Sequence, residues 1–182
     1  MSADVEPASA AAPAGEMRIP EAKSWAVAWT KARCEKALVE FFGGQAVPCF
    51  LPLVRNRRVY GGRVRFSELP LFPGYVFFDL EVIPRPRVFE SRKVAQILVP
   101  RDQDELVGDL TNLALALSHD TSLRETRFGM VGRKVQVARG PMKGLMGSLV
   151  RLENRCRLIV RVSFIGKAAE LEIDEAFVDP VF

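Results

Sequence analysis

The stretch PLFPGYVFF, residues 70–78, runs from a proline- and glycine-containing turn into an aromatic strand. Residues 71–80 predict a strand, in which Tyr75, Phe77 and Asp79 alternate with Val76, Phe78 and Leu80. A second stretch with regular glycines, GRKVQVARGPMKGLMGSLV, covers residues 132–150. Its alternating valines predict short strands, and its glycines permit the tight turns and bends between them. Each half of the chain therefore has one strand-forming motif.

The residues around the first motif predict an α+β domain with an antiparallel sheet. SWAVAW, residues 24–29, predicts a strand, and VYGGRV, residues 59–64, predicts a hairpin with a Gly61-Gly62 turn. Apolar stripes predict a helix that ends near Gly43 and a longer one that Asp102 caps. We also expect an irregular or edge segment at 47–54, a short helix at 85–93 and a short strand at 95–99.

After residue 130 the pattern is that of β-strands alone. Residues 156–162 and 168–173 alternate between apolar and polar side chains, which predicts an all-β small SH3-like barrel. Residues 118–129 are polar and without periodicity, which is typical of a linker. The predicted organisation is a disordered tail at 1–22, a first domain at 23–118, a linker at 119–129 and a second domain at 130–182.

Composition argues against several functional classes. The sequence has no nucleotide-binding loop, nucleophile elbow or metal-ligand cluster, and its one histidine stands in the predicted linker. We therefore expect neither an enzyme nor a cofactor or metal site. The sequence has no membrane-spanning run and no signal peptide, and its three cysteines lack metal spacing. These features predict a cytoplasmic protein without a membrane partner, and we expect a monomer.

The two motifs, in this order, resemble those of the NusG family of transcription elongation factors. In that family the first motif belongs to the N-terminal NGN domain, and the second is the KOW motif of a small barrel. QAVPCFLPLV (45–54), SELPLFPGYVFF (67–78) and EVIPRP (81–86) look more like operon-specific RfaH-like antiterminators. The KOW half is closer to the general factor, which works in elongation and termination with Rho.

The aromatic residues of the first domain fit two interpretations. Trp29, Tyr75 and Phe77 either form an exposed sheet face or are ordinary core residues, since alternation alone does not assign faces. An exposed aromatic cluster would mark a protein interface. The resemblance implies that these three residues bind the clamp helices of the RNA polymerase β′ subunit.

Basic residues form two candidate nucleic-acid sites, although charge runs are also common on solvated faces. Net charge is only +4, from 26 Lys and Arg against 22 Asp and Glu, so any such contact would be a local patch. One patch is the predicted hairpin, with Arg57, Arg58 and Arg63. The other comprises Lys31, Arg33 and Arg92, and the resemblance implies that Lys31 and Arg92 touch non-template DNA. PRPR, residues 84–87, lies where the RfaH-like relatives have a Thr-rich motif that contacts the β gate loop, and its chemistry differs from that motif.

The second domain has a candidate partner loop in SFIGK. The resemblance implies that this loop binds Rho or a small-subunit ribosomal protein, through Ser163, Phe164, Ile165, Gly166 and Lys167. Ile165 replaces an aromatic residue of the general factor. KOW barrels also occur in ribosomal proteins, so a ribosome- or RNA-binding protein without polymerase affinity is an alternative function.

Overall fold

The computed structural model of the protein describes residues 17–119, 122–152 and 155–181. Most of the predicted N-terminal tail therefore lies outside the described residues. The helices and strands are β1 (Trp25–Thr30), α1 (Glu35–Gly43), β2 (Cys49–Phe50), β3 (Leu53–Tyr60), β4 (Arg63–Pro70), β5 (Tyr75–Asp79), α2 (Arg85–Glu90), β6 (Val94–Leu98), α3 (Gln103–His119), β7 (Arg124–Thr126), β8 (Arg133–Val137), β9 (Met146–Leu152), β10 (Arg155–Val162), β11 (Lys167–Ile173) and β12 (Val178–Pro180).

The chain divides into two compact units. The first contains Ile19–Leu51 and Pro73–Val99, and the second contains Pro52–Phe72 and Pro100–Phe182. The first unit holds an antiparallel sheet in the order β2-β5-β1-β6, together with α1 and α2. The predicted α+β architecture with an antiparallel sheet is confirmed.

One face of this sheet packs against the helices. The small alanines of β1 leave room for the large side chains of α1, and the Phe42 ring stacks on Phe78 of β5 with centroids 4.9 Å apart. The buried residues of this core are Ala26, Ala28, Leu38, Phe42, Val47, Val76, Phe78, Ile83, Val88 and Val94. The helices α1 and α2 therefore cover the alanine face of the sheet.

A buried carboxylate holds the start of β1 against the end of β5. Asp79 is 2% exposed and accepts hydrogen bonds from three backbone N–H groups, those of Lys23 (2.9 Å), Ser24 (3.2 Å) and Glu81 (2.9 Å). Hydrogen bonds to an ionised acceptor are stronger than neutral ones. Asp79 therefore fixes the entry of the chain into the sheet.

The second unit contains a long two-stranded hairpin. β3 and β4 pair in register from Leu53 with Pro70 to Tyr60 with Arg63. Gly61 and Gly62 both have positive φ angles, of 54° and 75°, as a primed hairpin turn requires. The predicted Gly-Gly hairpin is confirmed, and its strands are longer than the sequence pattern indicated.

The rest of the second unit is a six-stranded antiparallel sheet and the helix α3. The strand order is β12-β8-β9-β10-β11-β7, and the prediction of an all-β C-terminal region is confirmed. Asp102 caps α3, because its carboxylate accepts a hydrogen bond of 2.9 Å from the Glu105 N–H. The predicted leucine stripe of this helix (Leu106, Leu110, Leu113, Leu117) is buried.

α3 contacts the C-terminal sheet through two polar side chains. The Asn112 amide donates to the Met146 carbonyl (2.7 Å) and accepts from the Met146 N–H (2.8 Å). Asp109 accepts a hydrogen bond of 2.7 Å from the Ser163 N–H. Residues 124–126 of the predicted linker form β7, which pairs with β11. The predicted domain boundaries stay a prediction, but this part of the linker is a strand.

Of the described helices, none is long and apolar enough to cross a membrane. Within the described residues, no group of three or more His, Cys, Asp or Glu side chains is arranged to hold a metal ion.

Candidate functional site

An exposed tryptophan lies at one end of the four-stranded sheet. Trp29 is on β1, opposite Tyr75 of β5 on one side and Gln96 of β6 on the other. Its side chain is 47% exposed, and Tyr75 beside it is half-buried. A large aromatic side chain held at a domain surface is typical of a protein-binding anchor.

The glycine of the first motif explains why the indole is held there. Gly74 has a φ of +89°, a backbone conformation that residues other than glycine rarely adopt. A Cβ at this position would lie 3.5 Å from both Cδ1 and Nε1 of Trp29, so the turn passes beside the indole. The sequence PGY therefore places the turn before β5 beside the Trp29 indole.

Two hydrogen bonds anchor this turn. The Gly74 N–H donates to the carboxylate of Glu35 (2.7 Å), and the Gly74 carbonyl accepts from the Thr30 N–H (2.8 Å). Glu35 is the first residue of α1 and is only 6% exposed. These two hydrogen bonds join the turn before β5 to the start of α1 and to the end of β1, next to Trp29.

Phe77 does not belong to the exposed surface. It is fully buried, as are Trp25 and Val27 on the same face of the sheet. Phe77 pairs with Val27, and its ring lies 6.3 Å from that of Phe50 on the edge strand β2. The interpretation of all three aromatics as one exposed face is wrong for Phe77, because both faces of the central strands are covered.

The predicted cluster of Lys31, Arg33 and Arg92 lies at the same end of the sheet. The Lys31 N–H donates to the Lys93 carbonyl (2.8 Å), which brings the loop after β1 beside the loop after α2. All three side chains are exposed. Arg33 and Arg92 have positive φ angles of 60° and 61°, which cost energy in a non-glycine residue. Such strain is often concentrated at functional sites.

The predicted hairpin residues Arg57, Arg58 and Arg63 lie on β3 and β4, in the second unit, and their side chains are exposed. Arg58 is directly opposite Arg65. These residues therefore lie on one two-stranded ribbon of the second unit. Trp29 and Tyr75, which we call the tryptophan surface, belong to the first unit.

The predicted partner loop is a 3-10 turn at Ser163–Ile165 followed by Gly166 and Lys167. Phe164 and Ile165 are half-buried. Two contacts restrain the loop: Asp109 of α3 binds the Ser163 N–H (2.7 Å), and Glu125 of β7 pairs with the Lys167 ammonium (2.6 Å). Burial raises the pKa of Asp109 above its usual value, although the bond to Ser163 opposes this effect.

Sequence reasoning missed the supporting residues Glu35 and Gly74 and the loop contacts of Asp109 and Glu125. Glu35 reads as an ordinary acid in the first turn of a helix, and nothing in its sequence context indicates a partner 39 residues away. Gly74 was visible in the motif, but its contact with Trp29 depends on the pairing of β1 with β5.

One family model matches the first part of the chain. The family model for NusG, described as a transcription termination factor, matches residues 23–107, which include both the tryptophan surface and the hairpin. Residues 23–107 of this chain are therefore similar to the NusG family. NusG-family proteins are transcription factors and not enzymes. A solved structure on domain interaction in Thermotoga maritima NusG is similar to this chain. It has 20% sequence identity and a TM-score of 0.45, and the alignment covers 87% of this chain and 97% of that one.

Proposed function

We propose that this NusG-family protein binds RNA polymerase through Trp29 and Tyr75 and acts as a specialised elongation and antitermination factor in the cytoplasm. The observation that carries the proposal is the exposed indole of Trp29, supported by Gly74. Binding to the clamp helices of the β′ subunit would favour the closed clamp. Closure would suppress pausing if the factor binds the closed polymerase more tightly than the open one.

Nucleic-acid contact is the second part of the proposal. Lys31, Arg33 and Arg92 lie at the same end of the sheet as Trp29, where they would reach non-template DNA beside the polymerase surface. The hairpin arginines Arg57, Arg58 and Arg63 would bind a phosphate backbone as well, because exposed guanidinium groups release the counterions of a polyanion. Contact with the β gate loop through residues 84–87 is also part of the proposal, and it would have to use a composition that differs from the Thr-rich motif of the RfaH-like relatives.

The partner loop at Ser163–Ile165 is the third part. We propose that Rho or a small-subunit ribosomal protein binds here, around the half-buried Ile165. Such a partner must accommodate or displace Asp109, which already occupies the Ser163 N–H. A general role in termination with Rho is the second candidate function, and it depends on this loop.

The experiment is retention of core RNA polymerase by the immobilised full chain. We compare wild type with Trp29→Ala and with Phe89→Ala. Phe89 lies on α2 and is 44% exposed, against 47% for Trp29, so it is a matched control for the loss of a surface aromatic. An anchor of this kind contributes about 2 kcal/mol or more to binding, so Trp29→Ala should weaken retention at least about 30-fold.

Equal retention of the two variants would reject the tryptophan surface as the binding site. Loss of retention by Phe89→Ala alone would move the interface to α2. A protein that binds ribosomes or free RNA but not polymerase would reject the polymerase function itself and favour the RNA-binding alternative. Thermal unfolding of each variant serves as the folding control.

A further inference from the structure

A cleft lies between α3 and strands β8, β9 and β10, inside the second unit. Asn112 holds the helix on the sheet, because its amide forms two hydrogen bonds with the backbone of Met146. Beside this contact the helix carries Gly108, and a Cβ added there would meet no described atom within 4 Å outside the helix backbone. The missing side chain leaves a cleft of about 570 Å³, which is within the usual range of roughly 300–1,000 Å³ for small-molecule sites.

Apolar side chains line much of this cleft. Leu115 belongs to α3, Met146 to β9 and Ile159 to β10. Met146 is 50% exposed, so a large part of its side chain is in contact with water. Covering such surface with an apolar group is favourable. The cleft therefore suits a ligand with an apolar body.

The charged side chains of the cleft are mainly positive. Lys134 and Arg161 line it together with one acid, Asp109. The Asp109 carboxylate already accepts the Ser163 N–H at 2.7 Å, whereas the Lys134 side chain is exposed. Charge complementarity therefore favours a ligand with an anionic head group.

A buried hydroxyl lies next to these cations. Lys134 of β8 is directly opposite Ser148 of β9, and opposite residues share a face with their Cβ atoms about 5 Å apart. Ser148 is only 6% exposed, and its hydroxyl oxygen accepts a hydrogen bond of 2.6 Å from the Arg161 guanidinium. A serine hydroxyl also has a proton to donate, so Ser148 can donate to an acceptor atom that lies beside Lys134.

The Arg161 guanidinium is held in a fixed position. Besides Ser148, it donates to the backbone carbonyls of Phe128 and Met130. A group that is already ordered loses little conformational entropy when a ligand binds. Arg161 therefore provides a preorganised positive charge on the sheet side of the cleft.

We infer that this cleft, which we call the α3 cleft, binds a small organic anion whose carboxylate or phosphate head lies between Lys134 and Ser148 and whose apolar body covers Met146. An organic cation would have only the occupied Asp109 carboxylate to pair with, and a neutral compound would leave Lys134 unused. The inference goes beyond the proposed polymerase contact and is independent of it, because Trp29 and Tyr75 belong to the first unit.

The test titrates the full chain with three probes that share one apolar body, namely phenylbutyrate, phenylbutylamine and phenylbutanol. Two-dimensional proton–nitrogen NMR spectra follow the backbone amides of Gly108, Met146 and Ser148, which line the cleft. Low salt is used, because screening weakens the attraction between exposed charges.

Two pairs of variants localise the binding. Gly108→Phe places a ring in the cleft, and Gly43→Phe adds the same ring at an exposed helix position of the first unit where a Cβ also meets no described atom within 4 Å. Lys134→Gln removes the cation of the cleft, and Lys36→Gln removes the same charge from an exposed position on α1.

We expect phenylbutyrate to shift the cleft amides and to bind at least about fivefold more tightly than phenylbutylamine or phenylbutanol. Gly108→Phe should abolish these shifts, and Gly43→Phe should keep the affinity of wild type. Lys134→Gln should weaken phenylbutyrate binding about three- to fivefold, since water partly screens an ion pair at an exposed lysine. Lys36→Gln should leave the affinity unchanged.

Equal binding of phenylbutylamine and phenylbutyrate would overturn the inference, as would cleft amides that stay unshifted up to the solubility limit of phenylbutyrate. Phenylbutyrate binding that survives Gly108→Phe would also overturn it. The dispersion of the NMR spectrum shows whether Gly108→Phe is folded. If that variant does not fold, Lys134→Gln decides, because unchanged affinity in this variant overturns the inference by itself.

Discussion

Replacing Gly147 of the second glycine motif by alanine should destabilise the C-terminal sheet strongly. Gly147 lies on β9, where the neighbouring strand β10 passes very close. A Cβ at this position would lie 2.7 Å from the Ile159 carbonyl oxygen and 2.8 Å from Cδ1 of Leu158. The added methyl therefore overlaps both backbone and side chain.

Neither Leu158 nor Ile159 can move away without disturbing other contacts. Leu158 and Ile159 are fully buried, and Ile159 is paired in register with Ser148 of β9. Overpacking of a core costs about 1–3 kcal/mol and sometimes more. Since a backbone carbonyl is one of the two contacts, we expect the upper end, about 3 kcal/mol. For a domain of this size such a loss lowers the melting temperature by more than about 10 °C.

Urea unfolding followed by far-UV circular dichroism measures this loss, and Gly129→Ala is the control. None of the described atoms lies within 4 Å of a Cβ at Gly129, so that variant should stay within about 0.5 kcal/mol of wild type. If Gly147→Ala also unfolded within about 0.5 kcal/mol of wild type, the tight approach of β9 and β10 would be refuted as the reason for this glycine.

Three further changes probe other contacts. Glu35→Ala should lower the free energy of unfolding by about 1.5–3 kcal/mol, because it leaves the Gly74 N–H without its charged acceptor. Glu35→Gln keeps an acceptor and should lower the free energy of unfolding less, and urea titration of both variants measures the difference. A carboxyl whose pKa is raised by burial loses stability on ionisation. Asp109→Asn keeps an acceptor for the Ser163 N–H, so it should be more stable than wild type at pH 7. The difference in the free energy of unfolding should shrink as the pH falls through the raised pKa. Urea titrations at pH 7 and at a pH below the raised pKa test this. Burial raises the pKa of Cys49 to about 11, so iodoacetamide at pH 8 should leave this thiol unmodified until the protein unfolds, as mass spectrometry would show.

The elements that the sequence predicts best are those with a local cause. The Gly61-Gly62 turn needs two positive φ angles that other residues disfavour, and the cap of α3 needs only Asp102 and the backbone three residues later. The alanines of β1 also predict the helix-covered face, because small side chains on a strand leave room for large ones opposite them.

The errors concern contacts between residues that are distant in the sequence. Phe77 alternates with its neighbours in the same way as an exposed residue would, and only the packing of Phe50 and the rest of that face distinguishes the two cases. The loop contact from Asp109 to Ser163 spans 54 residues and depends on how α3 packs on the sheet. Periodicity describes faces within one element, whereas these contacts depend on which elements become neighbours.

The unequal exposure of the two tryptophans gives the protein a built-in optical reporter. Both are on β1, but Trp25 is 2% exposed and Trp29 is 47% exposed. A soluble collisional quencher such as acrylamide should therefore quench the fluorescence of Trp29 and leave that of Trp25 largely unquenched. When a partner covers the sheet end, the accessible fraction of the emission should disappear, so an unlabelled protein reports occupancy of its own surface.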